Sequence, residues 1–280
     1  RDLGTPDKLI GVGVTVDADG ITLDQQLYAE SIVIAGMGSM EVQETSTPLN
    51  PGMDLSTRRD NEEKLSPTIY PYASMLGQLM FLAGMTRSDL ANSVRELGHK
   101  AVSPCMRHWR GLQHILRYIA GILDVCIHYG RGTKNINGGD GELLVGYGNS
   151  DWGTDSQTRR SVTGYLLLFN GSPIAWHSKL QGAVTLSSSD AEWTAMAYGM
   201  RHCIFLRGIL GEIDILQDQT PWFCGNCGAI QAGIITGFNG RTKHVDMKLK
   251  CTREYVDQDL FHVENVPTSK QLADISTKSL

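Results

Sequence analysis

Gly146-Tyr147-Gly148-Asn149-Ser150-Asp151-Trp152 decides the fold of this chain. It continues the apolar run Leu143-Leu144-Val145, so Leu143–Tyr147 reads as a strand with Asn149 at its end. Outward from it, Gly164–Phe169 and Pro173–His177 read as two more strands, and Ala191–Leu210 as a long helix. Trp222-Phe223-Cys224 reads as a fourth strand. Helices are expected from Asn226 to Ile235 and from Lys243 to Val256, then a last strand at Leu260–Glu264. The order β-β-β-α-β-α-α-β predicts an α/β domain whose mixed sheet contains one long antiparallel meander.

Three other short segments also sit where a strand ends or a helix begins. They are Ser188-Ser189-Asp190-Ala191-Glu192-Trp193, Cys224-Gly225-Asn226 and Gln271-Leu272-Ala273-Asp274. Such ends can bring one residue from each segment to a common point. Glu192 and Asp274 would bring carboxylates there, whereas Asn149 and Gly225 would not. Asp151, two residues beyond Asn149 on a strand, would face the same way.

Bulk composition narrows the classes. Hydrophobic residues make up 41% and charged residues 20%, as in a globular protein. A net charge of −5 argues against a strongly electropositive nucleic-acid binder, though a local basic face stays open. No apolar run approaches the roughly 20 residues that span a bilayer, so no membrane partner is expected. The polar opening Arg1-Asp2-Leu3-Gly4 reads as that of a piece of something longer. Six cysteines without a signal segment fit free thiols in a reducing compartment. Cys224 and Cys227 form a lone C-x-x-C, read as two small residues at a strand end rather than half of a zinc site.

The first half is read more coarsely. Leu9–Val16 and Ile21-Thr22-Leu23 predict a short hairpin around Asp17-Ala18-Asp19-Gly20, followed by a helix capped by Asp24. Residues 44–67, with Pro48, Pro51 and Pro67, read as a linker or extended arm. Helices are expected over Tyr72–Met85, over Ser88–Lys100, and after Ser103-Pro104, the last ending at Gly121. That last helix and its approach carry Lys100, Arg107, Arg110 and Arg117 with His108 and His114, and no acid among them. Two readings stay open: a solvated face, or a surface that tracks phosphates. The Gly- and Asn-rich stretch 135–141 reads as a domain boundary or a loose hairpin tip.

Several stretches carry a resemblance. In order they are Arg159-Arg160-Ser161-Val162-Thr163-Gly164-Tyr165, Trp176-His177-Ser178-Lys179, Leu186–Trp193, Arg241-Thr242-Lys243-His244-Val245-Asp246 and Gln271–Lys278. In that order they resemble the ribonuclease H domain of copia-type LTR-retrotransposon polyproteins. Asp2-Leu3-Gly4, Thr47-Pro48-Leu49, Tyr72–Leu79, Thr86–Leu90 and His108–Tyr118 resemble the end of that family's reverse transcriptase and its connection. The resemblance implies three parts. They are a palm/thumb remnant over 1–50, a linker and helical connection over 51–141, and a ribonuclease H-like five-stranded sheet flanked by helices over 142–280. It also implies an intracellular setting, in a cytoplasmic particle or the nucleus.

The family's chemistry is metal-dependent cleavage of RNA in RNA–DNA hybrids, by water and two divalent ions held by carboxylates. Mg²⁺ or Mn²⁺ is the implied cofactor, and a hybrid or template-primer the implied partner, with the rest of the reverse transcriptase as a further one. The resemblance puts the four family acids at Asn149, Glu192, Gly225 and Asp274. Only Glu192 and Asp274 remain as metal ligands, so hydrolysis is expected to be lost or crippled, and Asp151 is the one rescue in reach. Arg159, Arg160, Lys179, Arg241 and Lys243 join Arg107, Arg110 and Arg117 as expected phosphate contacts. Trp152, Trp176 and Trp193 are expected in the core. The rival expectation is a nucleic-acid-binding or scaffold module that cuts nothing. The chain contains no Tyr-x-Asp-Asp, so polymerase activity is not expected of it.

Overall fold

The structure is a computed structural model, described here for residues 4–131, 143–155, 157–225 and 243–278, with backbone alone for 243–249. Contacts divide the chain into Arg1–Arg131 with Lys278–Leu280, and Gly132–Thr277.

The first unit joins a small sheet to a helical core. Strands β1 (Lys8–Leu9), β2 (Val12–Val16), β3 (Gly20–Asp24) and β4 (Ile127–Gly130) form one antiparallel sheet in that order. Helices α1 (Gln26–Met37), α2 (Tyr72–Met85), α3 (Ala91–Gly98) and α4 (Met106–Ala120) supply the core. Asp24 does not cap α1: the N-cap position is Gln25, and Asp24 Oδ1 only accepts the Gln26 N–H at 3.3 Å. Helix α4 follows the expected apolar spacing, with Trp109, Leu112, Ile115, Leu116 and Ile119 all buried.

The arm over 44–67 has no regular secondary structure, yet Leu49, Leu55 and Leu65 are buried in the helical core. The boundary expected at residue 50 therefore falls inside one core. Arg107 holds the arm down. Its Nε and Nη2 donate to the two Glu62 carboxylate oxygens at 2.6 and 2.7 Å, and its Nη1 pairs with Asp54 at 2.8 Å.

The second unit is built on β5 (Leu144–Asp151), β6 (Val162–Phe169), β7 (Ser172–Leu180), β8 (Thr220–Cys224) and β9 (Phe261–Asn265), in the order β7-β6-β5-β8-β9. The β5–β6 and β6–β7 pairs are antiparallel, while β5–β8 and β8–β9 are parallel. With α5 (Ser188–Glu212) and α6 (Lys243–Asp257), this is the ribonuclease H-like mixed sheet that the resemblance implies. Against one face, Leu144, Tyr165 and Leu167 of the sheet pack on Trp193, Met196 and Met200 of α5. The other face buries Val145, Tyr147, Leu166 and Leu168 with Ala273.

Trp222, fully buried at the centre, fits only because Gly146 and Gly199 lack side chains; a Cβ on either would overlap its ring. The C-terminal segment differs from expectation. Asp274 opens no α-helix but lies in a 3-10 turn, Leu272–Ser276.

Candidate functional site

The site lies where β5, α5 and the C-terminal turn meet. Gln271 fixes the turn: its Nε2 donates to the Gly148 carbonyl at 3.1 Å, and its Oε1 accepts the Ala273 N–H at 3.1 Å. Gly164, paired with Asn149 across β5–β6, leaves room for the turn to close. A Cβ there would come within 2.8 Å of Ser276 Cβ. Neither Gln271 nor Thr277 stood out in the sequence as a site residue, although both lie in the stretch that carried the resemblance.

Asn149 is nearly buried, at 7% exposure. Its Nδ2 donates to Asp274 Oδ1 at 2.7 Å and to Thr277 Oγ1 at 2.6 Å. Both amide hydrogens are thereby used. The Thr277 hydroxyl donates in turn to the Asp274 carbonyl at 3.3 Å. Two carboxylates in these positions would repel unless a cation lay between them; an amide needs no cation.

Glu192 approaches from the opposite face. Ser187 caps α5 by accepting the Asp190 N–H at 3.1 Å. Gln181 Nε2 ties the helix start to the sheet through the Ala191 carbonyl at 3.1 Å and Thr163 Oγ1 at 2.9 Å. Glu192 is thus buried, and its Oε1 accepts the Ser150 N–H at 3.2 Å.

Gly225 directly follows β8. The parallel register Gly146↔Trp222, Tyr147↔Phe223, Gly148↔Cys224 sets its next rung at Asn149 and Gly225. A Cβ built on Gly225 meets nothing within 4 Å. Asp151 ends β5 opposite Val162, half-buried, on the Asn149 face by strand alternation.

These donors do not fit a pair of divalent ions. Asn149 brings an uncharged amide and Gly225 no side-chain oxygen, so of the four positions only Glu192 and Asp274 offer carboxylates to balance two dications. Among the described residues no group of three or more His, Cys, Asp or Glu side chains is arranged to hold a metal. Cys224 is disulfide-bonded, which corrects the expectation of free thiols for that residue. Cys105, Cys126, Cys203 and Cys251 are free, and Cys227 lies outside the described residues.

The expected phosphate contacts separate into groups. In the first unit Arg107 is spent on Glu62 and Asp54, so the basic stretch that lacks acids in sequence acquires them in space. The Arg107 guanidinium holds the Glu62 carboxyl down at about 2. His108 accepts the Cys105 N–H at Nδ1 and reaches the Ser56 carbonyl from Nε2, which requires a neutral ring. Burial pushes its pKa below the ordinary value, as it does for His114. Arg110 is exposed and Arg117 half-buried. In the second unit Arg159 and Lys179 are exposed and Arg160 is half-buried. Arg241 lies outside the described residues, as does the Lys243 side chain.

The tryptophan expectation holds for Trp193, 2% exposed, and fails for Trp152, 52% exposed. Trp152 stands just past the end of β5, where no layer covers it, and its Nε1 donates to the Thr185 carbonyl at 3.3 Å.

The chain is similar to the retrovirus-related Pol polyprotein from transposon TNT 1-94 of Nicotiana tabacum, 31% identical over 283 residues and 99% of this chain. It is 29% identical, over 97% of its length, to the corresponding polyprotein from transposon RE2 of Arabidopsis thaliana. The chain belongs to the copia-type retrotransposon Pol polyproteins. It spans about a fifth of the length of these curated relatives, 21% and 18%. Within this Pol family the second unit is the ribonuclease H-like module.

A 137-residue match, 37% identical, covers 49% of this chain and 91% of a protein named secreted RxLR effector protein 161 of Plasmopara viticola. No protein-family model matches. Solved ribonuclease H1 of Halobacterium salinarum is similar over 48% of this chain and 93% of its own, at 14% identity and TM-score 0.36. The fold assignment rests on the strand order and not on that score. Among the described residues no helix is long and apolar enough to cross a membrane.

Proposed function

We propose that this Pol segment holds an RNA–DNA hybrid on a ribonuclease H-like module without cutting it. The observation that carries the reading is the Asn149 amide, which bonds Asp274 and Thr277 where the family has a carboxylate. Hydrolysis in this family's manner needs two divalent ions to activate water and stabilise the leaving oxygen. Hard ions of that kind need oxygen ligands whose charge balances theirs. With Asn149 and Gly225 in place of acids, the formal charge at the four positions falls from −4 to −2. Two ions there would be under-neutralised and would repel each other.

Nothing in these changes disturbs the surface that would carry a duplex. Contacts to phosphates are sequence-independent and come from exposed cations, which this unit keeps at Arg159 and Lys179. The ordered turn and the capped α5 keep the shape of the site without a metal.

The test is a labelled RNA–DNA hybrid incubated with the protein and Mg²⁺ or Mn²⁺, read both by anisotropy and on a denaturing gel. The expected result is a salt-sensitive rise in anisotropy with the RNA intact. Cleavage that is lost in Asp151→Asn would show a working site rebuilt around Asp151, and would refute the non-cutting reading. Absence of any binding would refute the hybrid reading altogether.

A further inference from the structure

A cavity of about 490 Å³ lies wholly within the first unit, between the arm and the start of α4. Small-molecule sites occupy roughly 300–1,000 Å³. The walls of this one are tied in place. The Leu65 N–H donates to the Pro104 carbonyl at 2.9 Å, which fastens the arm just ahead of α4. The Ser66 carbonyl accepts the N–H groups of Ile69 and Tyr70 at 3.2 and 2.9 Å, which turns the chain. The Tyr70 ring then meets Trp109 of α4 edge-on at 5.5 Å. The Arg107 bonds to Glu62 hold the remaining side. A site fixed by such bonds loses little freedom when a ligand enters.

The lining divides into an apolar part and a charged part. Leu65, Ile69, Tyr70 and Met106 make the apolar part, with Leu65 buried at its base and Ile69, 70% exposed, at its mouth. Among the charged groups Glu62 is spent on Arg107, and Asp54, the other acid on Arg107, is shared with Arg59. Glu63 and Lys64 are chain neighbours of opposite sign, both exposed. That leaves Arg110, exposed and without an ion pair among the described residues. It stands four residues along α4 from Met106 and so on the same side of the helix.

The start of α4 adds two donors. The N–H groups of His108 and Trp109 bond the Cys105 carbonyl at 3.0 and 3.2 Å, whereas those of Met106 and Arg107 have no partner among the described residues. First-turn N–H groups project beyond the helix end, and the helix dipole favours negative charge there.

We infer that this cavity binds a small organic monoanion, a carboxylate carried on an apolar body. The carboxylate sits on the Met106 and Arg107 N–H groups beside Arg110, and the body lies along Met106, Tyr70 and Ile69. One uncompensated cation suits one negative charge and not the two of a phosphate monoester. The inference is independent of the hybrid reading, which concerns the second unit.

The experiment titrates the chain as written with 4-phenylbutyrate by calorimetry, beside the neutral 4-phenylbutyramide and the dianionic phenyl phosphate. Arg110→Gln and Arg110→Lys test the charge, and Ile69→Asn tests the apolar wall; all three change exposed side chains, and a thermal melt checks that each variant folds. A charge-assisted hydrogen bond is worth about tenfold or more in affinity. The carboxylate should therefore bind about tenfold more tightly than the amide. Arg110→Gln should remove that advantage, Arg110→Lys should keep most of it, and Ile69→Asn should weaken both probes by the same factor. No binding of 4-phenylbutyrate at millimolar concentration overturns the site. Equal binding of acid and amide, tighter binding of phenyl phosphate, or an Arg110→Gln variant that binds like the parent overturns the monoanion assignment.

Discussion

Asn149→Asp should make the fold of the second unit depend on metal. The change keeps the shape of the side chain and replaces an N–H donor, 2.7 Å from Asp274 Oδ1, with a carboxylate oxygen. At an effective dielectric constant near 20, two charges 3–4 Å apart repel by roughly 4–6 kcal/mol. The pair can escape by holding one proton, which at neutral pH costs no more than about 4 kcal/mol. The donated hydrogen bond, worth about 1–3 kcal/mol to a charged partner, is lost as well. Relaxation at this partly open site lowers the sum, so a net loss of about 2–4 kcal/mol is expected, or roughly 5–15 °C in Tm. Thermal unfolding in EDTA and in Mg²⁺ measures it. The variant should melt early in EDTA and recover in Mg²⁺, while the chain as written ignores both. A variant that melts with the parent in EDTA would show that the Asn149–Asp274 bond does not hold the turn.

Three further outcomes are expected. Gly199→Ala should cost about 1–3 kcal/mol because its Cβ overlaps Trp222, whereas Gly208→Ala, open on the same helix, should gain about 0.5–1 kcal/mol; paired denaturant melts separate them. Arg107→Met should release the arm, and limited proteolysis should then cut within residues 54–66 while α4 stays protected. His108, His114 and His177 have folded pKa values held below the ordinary value by burial. Their contribution to stability is therefore complete above about 6.5 and is lost as pH falls through the folded values. Urea melts at pH 7.5 and 5.5 should show the midpoint falling, and a midpoint that rises would contradict the buried neutral rings.

Much of the second unit was legible in the sequence because its signals are local. The apolar run Leu143-Leu144-Val145, the Ser-rich start of α5 and the apolar Trp222-Phe223-Cys224 each specify an element without help from the rest. Asn149, Glu192 and Asp274 stand out in the sequence as candidates because each sits near such an element's end. What stayed hidden depends on contacts between segments distant in sequence. Strand β4 is four residues that become a strand only by pairing with β3. The acids on Arg107 come from an arm some fifty residues earlier in the chain (|i−j| of 45 to Glu62). Trp152 reads as core by composition, yet stands past the last paired residue of its strand, with 52% of its surface exposed. Thr277 carries no signal of its own; its role follows from the gap that Gly164 leaves.

The most direct measurement is hybrid cleavage by the chain as written beside Asn149→Asp, Gly225→Asp, in Mg²⁺ and in Mn²⁺. The second substitution meets open space, and the first is expected to recover its stability once a divalent ion is bound, so the fold should hold under the conditions of the assay. The account predicts that only the double variant cuts. Cleavage by the chain as written would contradict it.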